Sequence, residues 1–277
     1  MKRIVIGMAA AMSLFATGAM AADLAARPYV KAPAVAAVVD SWTGFYIGGN
    51  VGYSWGRARN TETISNFATG VPLATGTGTG SNDVNGVIGG GQIGYNWQMQ
   101  NWLFGLETDI QGSGEKGSIN FTCVACANDG TNITSTVTQK LSWFGTARGR
   151  VGVLVTPSVL LYGTGGLAYG QLQTGGSITG TNIGGVPVTV AFPGTSSTRV
   201  GWTAGVGVEG KIAPNWTAKL EYLYMDLGSV SAGPIATTIL VPVRTAGGVS
   251  YSSGFTDNIL RVGVNYQFGG GPVVAKY

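Results

Sequence analysis

Apolar and polar residues alternate along most of this chain with a period of two. In the stretch TGFYIGGNVGYSWG, Phe45, Ile47, Val51, Tyr53 and Trp55 share one face, and Tyr46, Gly48, Asn50, Gly52, Ser54 and Gly56 share the other. Such a period marks an extended strand whose two faces meet different environments. Eight stretches carry it. The second sets Val87, Ile93, Tyr95 and Trp97 against Gly90, Gln92, Gly94 and Asn96. The third sets Trp102, Phe104, Leu106 and Ile110 against Gly105, Glu107, Asp109 and Gln111. In the fourth, Leu141, Trp143, Ala147 and Val151 oppose Ser142, Thr146, Arg148 and Arg150. In the fifth, Val159, Leu161, Leu167 and Tyr169 oppose Tyr162, Thr164, Gly166 and Gly170. The sixth alternates Val200, Trp202, Ala204, Val206 and Val208 with Thr203, Gly205, Gly207, Glu209 and Lys211. The seventh alternates Trp216, Leu220, Tyr222 and Tyr224 with Thr217, Lys219 and Glu221, and the eighth Leu260, Val262, Val264, Tyr266 and Phe268 with Arg261, Gly263, Asn265 and Gln267.

Each stretch runs roughly 10 to 14 residues, the length of a tilted strand crossing a bilayer. The connections alternate in length. QMQN, TPS and APN join stretches two to three, four to five and six to seven. The other four connections hold roughly 20 to 27 residues rich in Gly, Ser, Thr and Asn, and short turns on one rim with long loops on the other are the layout of outer-membrane barrels. The expected fold is all-β: a transmembrane, antiparallel, up-and-down barrel of eight strands with three short periplasmic turns and four long extracellular loops.

Composition decides which face is outside. Only 10% of residues are charged, against about 25% in an ordinary soluble domain. A water-facing exterior would need more charge than that, and the polar face is mostly Gly, Asn, Gln, Thr and Ser. Small side chains suit the crowded lumen of a narrow barrel. Trp55, Trp97, Trp102, Trp143, Trp216, Tyr224 and Tyr266 gather towards the ends of the apolar face, where a girdle at the lipid headgroups is expected. The apolar face therefore sees lipid. Glu107, Asp109, Arg148, Arg150, Glu209, Lys219, Glu221 and Arg261 become lumen residues. Glu209 falls opposite Lys219, and Glu107 and Asp109 share a face with Arg148 and Arg150. Charges of both signs packed this closely satisfy one another, so a plug of salt bridges is favoured over an ion or proton path.

The opening MKRIVIGMAAAMSLFATGAMA has a basic start at Lys2-Arg3, a short apolar run and a small-x-small site at Ala19-Met20-Ala21, the pattern of a secretory signal peptide. The apolar run is too short for a membrane anchor. The expected organisation is a signal peptide at 1–21, an Ala/Pro-rich periplasmic leader at 22–41, the barrel at 42–268 and a tail at 269–277. The net charge of +4 shrinks without Lys2 and Arg3, and no basic run points to nucleic acid.

The chain has no histidine, which removes Ser–His catalysis and His-bearing zinc sites. No enzyme activity, metal or cofactor is expected. Gly89–Gly94 and Gly205–Gly210 fit G-x-G-x-x-G, but a dinucleotide site needs a strand, a turn and a helix, and these glycines sit within strands. Cys123 and Cys126 lie in the second long connection, where a local disulfide is the plain reading outside the cytoplasm. Redox catalysis would need a βαβ context, and two thiols alone are a poor metal site. Asn132-Ile133-Thr134 fits a glycosylation acceptor that has no use in a bacterial envelope.

WTGFYIGGNVGYSWG and the terminal ILRVGVNYQF resemble the small outer membrane β-barrel family of OmpA-like and opacity-type proteins, and within it the alphaproteobacterial surface-antigen branch. The likeness runs from Ser41 onward. It implies insertion by the outer-membrane assembly machinery, with Leu260, Val262, Val264, Tyr266 and Phe268 as the terminal assembly signal. GGGPVVAKY after Phe268 departs from that pattern, and no wall-binding domain is implied. The function expected is a structural protein of the Gram-negative outer membrane. It would contact membrane lipid and lipopolysaccharide, support envelope integrity and display loops for antigen- or adhesion-type contacts with partners the sequence does not identify. A narrow porin-like channel for small solutes is the alternative, and a loop-borne adhesin or receptor a third.

Overall fold

In the computed structural model, residues 41–66, 72–124, 132–181, 186–237 and 247–268 are described. The expected signal peptide, all of the leader except Ser41, and the C-terminal tail lie outside them. Eight strands follow in order: β1 (Gly44–Asn66), β2 (Pro72–Met99), β3 (Trp102–Cys123), β4 (Ile133–Thr156), β5 (Val159–Thr181), β6 (Pro187–Ala213), β7 (Trp216–Thr237) and β8 (Gly247–Phe268). Each pairs antiparallel with its neighbours, and β1 pairs with β8 from Phe45↔Phe268 to Asn66↔Gly247, which closes the barrel. Closure leaves no strand edge unpaired in the hydrocarbon, where each lone amide or carbonyl would cost several kcal/mol. Among the described residues no helix is long and apolar enough to cross a membrane.

The short connections are two-residue turns at Gln100-Asn101, Pro157-Ser158 and Pro214-Asn215. Gln100 takes a left-handed conformation with φ of 56°, as a tight hairpin turn demands. The second residue of each turn accepts a backbone bond from a neighbouring strand: Leu154 to Asn101, Lys211 to Ser158 and Gln267 to Asn215, at 2.8 to 2.9 Å.

Two expectations need correcting. The strands are 22 to 28 residues long, so much of the Gly/Ser/Thr-rich sequence read as long loops instead continues the ladders. The β-branched Thr residues suit a strand, and backbone partners on both neighbouring strands carry the ladder through the glycines between them. Leu141, assigned to the lipid face, is fully buried in the lumen. A bulge at Ser142, between the pairs Leu141↔Leu172 and Trp143↔Gln171, moves it across, because one extra residue flips every side chain beyond it.

The remaining faces alternate as the period requires. Phe45, Ile47, Val51, Tyr53 and Trp55 are exposed, while Tyr46, Asn50 and Ser54 are buried. The same holds around the ring, from Val87 and Trp97 on β2 to Val262 and Phe268 on β8. Edge-on aromatic pairs mark the turn-side rim, Phe45–Tyr95 at 4.6 Å and Trp216–Tyr266 at 5.2 Å. At the opposite rim lie an edge-on pair, Trp143–Tyr169 at 6.2 Å, and a tilted one, Trp202–Tyr224 at 5.4 Å.

Candidate functional site

The lumen is filled in layers. At the turn-side mouth Trp42, 1% exposed, packs with Leu103, Leu160 and Tyr162. Its indole nitrogen donates to the Pro157 carbonyl at 3.0 Å and its amide to Gln98 Oε1 at 2.8 Å. The Lys211 ammonium lies 5.3 Å from the centre of its ring. Sequence reading placed Trp42 at the start of the barrel without giving it a role, since one tryptophan before a strand carries no periodic signal.

Above this stopper the eight charged residues lie together, all buried. Glu107 on β3 is the hub. Both its oxygens receive the Lys219 ammonium, at 2.9 and 3.0 Å, and it pairs with Arg148. The Tyr46 hydroxyl donates to it at 2.8 Å. Asp109 takes Arg148 at 2.9 Å, Arg261 at 3.0 Å and the Thr146 hydroxyl at 2.8 Å. Glu221 takes Arg261 at 2.6 Å, Arg148 at 3.2 Å and the Tyr162 hydroxyl at 2.8 Å. Glu209 takes Arg150 at 2.9 Å, with Thr217 and Asn265 also donating to it. The Arg150 guanidinium is held between the rings of Tyr46 and Tyr162, 4.8 and 5.3 Å from their centres. Four carboxylates thus face four cations in a low-dielectric interior, where an unmatched charge would be costly.

The register sets Glu107 opposite Arg148 and Glu209 opposite Lys219. Lys219 nevertheless reaches across the lumen to Glu107, and Glu209 is served by Arg150. Glycines make room for this traffic. A methyl group at Gly207 would stand 2.5 Å from the Tyr162 ring, so a side chain there would push the tyrosine off Glu221.

Beyond the charges comes a layer that the period-two reading missed. Val84, Ile88, Leu141, Phe144, Leu172, Leu223, Met225, Phe255 and Ile259 fill the lumen as one apolar cluster. The available signal was pairs of adjacent apolar residues, Trp143-Phe144, Tyr222-Leu223 and Ile259-Leu260, which need both faces of a strand to be dry. Beside this layer, Glu115 and Asp257 are buried under the hydroxyls of Ser113 and Ser54. Farther out, Gln139 ties together Asn60, Tyr251 and Ser253.

The aromatic residues expected at the rims lie on the outer face. Trp55, Trp97, Trp102 and Trp216 are exposed, and Trp143, Tyr224 and Tyr266 are partly so. Leu260, Val262, Val264 and Phe268 are exposed on β8 beside Tyr266. Cys123 ends β3, and Cys126 lies outside the described residues, as does any bond between them. Among the described residues no cluster of acidic and sulfur or imidazole groups could hold a metal ion.

A closed antiparallel barrel, apolar outside and holding a balanced layer of eight buried charges within, is an integral β-barrel of the bacterial outer membrane. The chain belongs to the outer membrane protein beta-barrel domain family, whose model matches residues 7–268. It is 37% identical over 273 residues to the 31 kDa outer-membrane immunogenic protein of Brucella melitensis biotype 1, covering 97% of this chain and 100% of that protein. It is 30% identical over 234 residues to the 22 kDa outer membrane protein of Rhizobium leguminosarum bv. viciae, covering 82% and 79%. Among solved structures, OprG of Pseudomonas aeruginosa is 12% identical with a TM-score of 0.43, covering 82% of this chain and 97% of that one.

Proposed function

We propose that this protein is a structural, non-catalytic element of the outer membrane that supports envelope integrity and displays its extracellular strand ends and their connections. The observation that carries this reading is the filled lumen: Trp42 at one mouth, a balanced charge layer above it, and an apolar cluster above that. At eight strands an interior is just wide enough for side chains to fill. Lipid binds the apolar belt, lipopolysaccharide surrounds the outer rim, and the assembly machinery reads the outward face of β8 from Leu260 to Phe268. The absence of histidine and the pairing of Glu107, Asp109, Glu209 and Glu221 with Arg and Lys support a non-enzymatic role. Planar-bilayer recording on the purified protein tests the assignment. The expected trace shows no steady conductance. Reproducible unitary steps from the wild-type protein would transfer the assignment to the narrow-channel alternative. The name of the Brucella relative, an immunogenic protein, favours surface display.

A further inference from the structure

The outer wall carries an unbalanced patch of charge. Lys116 on β3 and Lys140 on β4 are direct cross-strand partners, and both are exposed. Their other neighbours across the sheet are Asn85 and Gln173, so neither faces an acid. Directly opposed like charges destabilise a sheet, with Cβ atoms about 5 Å apart. Arg57 and Arg59 extend the patch on β1 and are also exposed. Arg57 meets Asp83 at 3.7 Å, with both side chains at least 60% exposed. Arg59 has Ser81 and Gly254 for neighbours. Among the described residues Arg59, Lys116 and Lys140 have no ion-pair partner.

The patch has a fixed height. Arg57 and Arg59 lie two and four positions beyond Trp55, and Lys140 three before Trp143, on strands running to the rim opposite the turns. At about 3.3 Å per residue and a tilt near 40°, these cations stand about 5 to 10 Å beyond the girdle, at the depth of the outer-leaflet headgroups. The other half of the wall differs. At this level β5 to β8 present Gln173, Ser196, Thr198, Thr256 and Asp226.

We propose that Lys116 and Lys140, flanked by Arg57 and Arg59, bind the phosphate of an anionic phosphorylated outer-leaflet lipid whose acyl chains lie on the belt below. A phosphate oxygen on each ammonium would turn a repulsive pair into two charge-assisted hydrogen bonds. The site deepens the lipid-contact reading given above and depends on it.

The test uses the full-length protein folded in zwitterionic micelles, titrated with bisphosphorylated lipid A and with its dephosphorylated form, with bound lipid counted by native mass spectrometry. The phosphorylated form is expected to bind at least about tenfold more tightly, and Lys116→Gln with Lys140→Gln to remove about that factor. Ser196→Ala on the other half of the wall should change nothing. Equal binding of the two lipids, or by parent and double variant, overturns the proposal. Displacement by millimolar inorganic phosphate alone would make this a free-anion site and overturn the lipid assignment. Each protein is first checked for the migration shift between unboiled and boiled samples. A parent lacking that shift counts against the barrel itself, which separates failure of the general reading from failure of this site.

Discussion

The charge network can be tested by removing one carboxylate and keeping its shape. Glu107→Gln takes a negative charge from the centre of the lumen, where Lys219 Nζ lies 2.9 and 3.0 Å from its two oxygens, and Arg148 and the Tyr46 hydroxyl also bind. Three carboxylates would then face four cations, and the amide would present two protons to groups that are themselves donors. Breaking a buried pair from one side costs about 3 to 5 kcal/mol, because the remaining charge stays buried and unmatched. At 1.36 kcal/mol per factor of ten, a 3 kcal/mol loss raises the unfolding constant more than a hundredfold. Urea unfolding of the protein in lipid vesicles reads this through tryptophan fluorescence and the fraction of the fast-migrating unboiled band. The rescue is specific. Glu107 is the ion-pair partner of Lys219, so adding Lys219→Met restores balance, and a double-mutant cycle should show coupling of at least about 2 kcal/mol. A single-variant loss below about 1 kcal/mol, or strictly additive effects, would show that the network does not act as a neutralised unit.

Two further outcomes probe the belt and the lumen packing. Val262, 53% exposed on β8, lies midway along the lipid-facing belt, and Val262→Arg should cost about 2 to 4 kcal/mol in the same vesicle assay; an unchanged urea midpoint would argue that this face does not meet hydrocarbon. Gly207→Ala forces a methyl group against the Tyr162 ring and should destabilise the barrel by about 1 to 3 kcal/mol. A variant as stable as the parent would mean that Tyr162 moves aside without loss.

The parts of this protein legible in the chain are those set by one strand and its immediate surroundings. Alternation separated Phe45, Ile47 and Val51 from Tyr46, Asn50 and Ser54, because successive side chains must point to opposite faces. The scarcity of charge then decided which face meets lipid. The turns at Pro157-Ser158 and Pro214-Asn215 were visible as breaks in the pattern. Leu141 was misread because a bulge cannot be seen as a break when the residues on both sides are apolar.

What the sequence determined by itself, then, was the barrel, its inside and outside, and the eight charges of the central layer; Glu115 and Asp257, also enclosed, went unread. The tertiary structure alone decided how they pair and what seals them. Register fixes which Cα atoms are neighbours, yet long side chains cross the lumen to strands that closure brings opposite, as Lys219 on β7 does to reach Glu107 on β3, 112 residues away. The stopper role of Trp42 and the merging of Phe144, Leu223 and Ile259 into one apolar layer arise the same way. No local pattern records a contact across the lumen, because it exists only once all eight strands have closed.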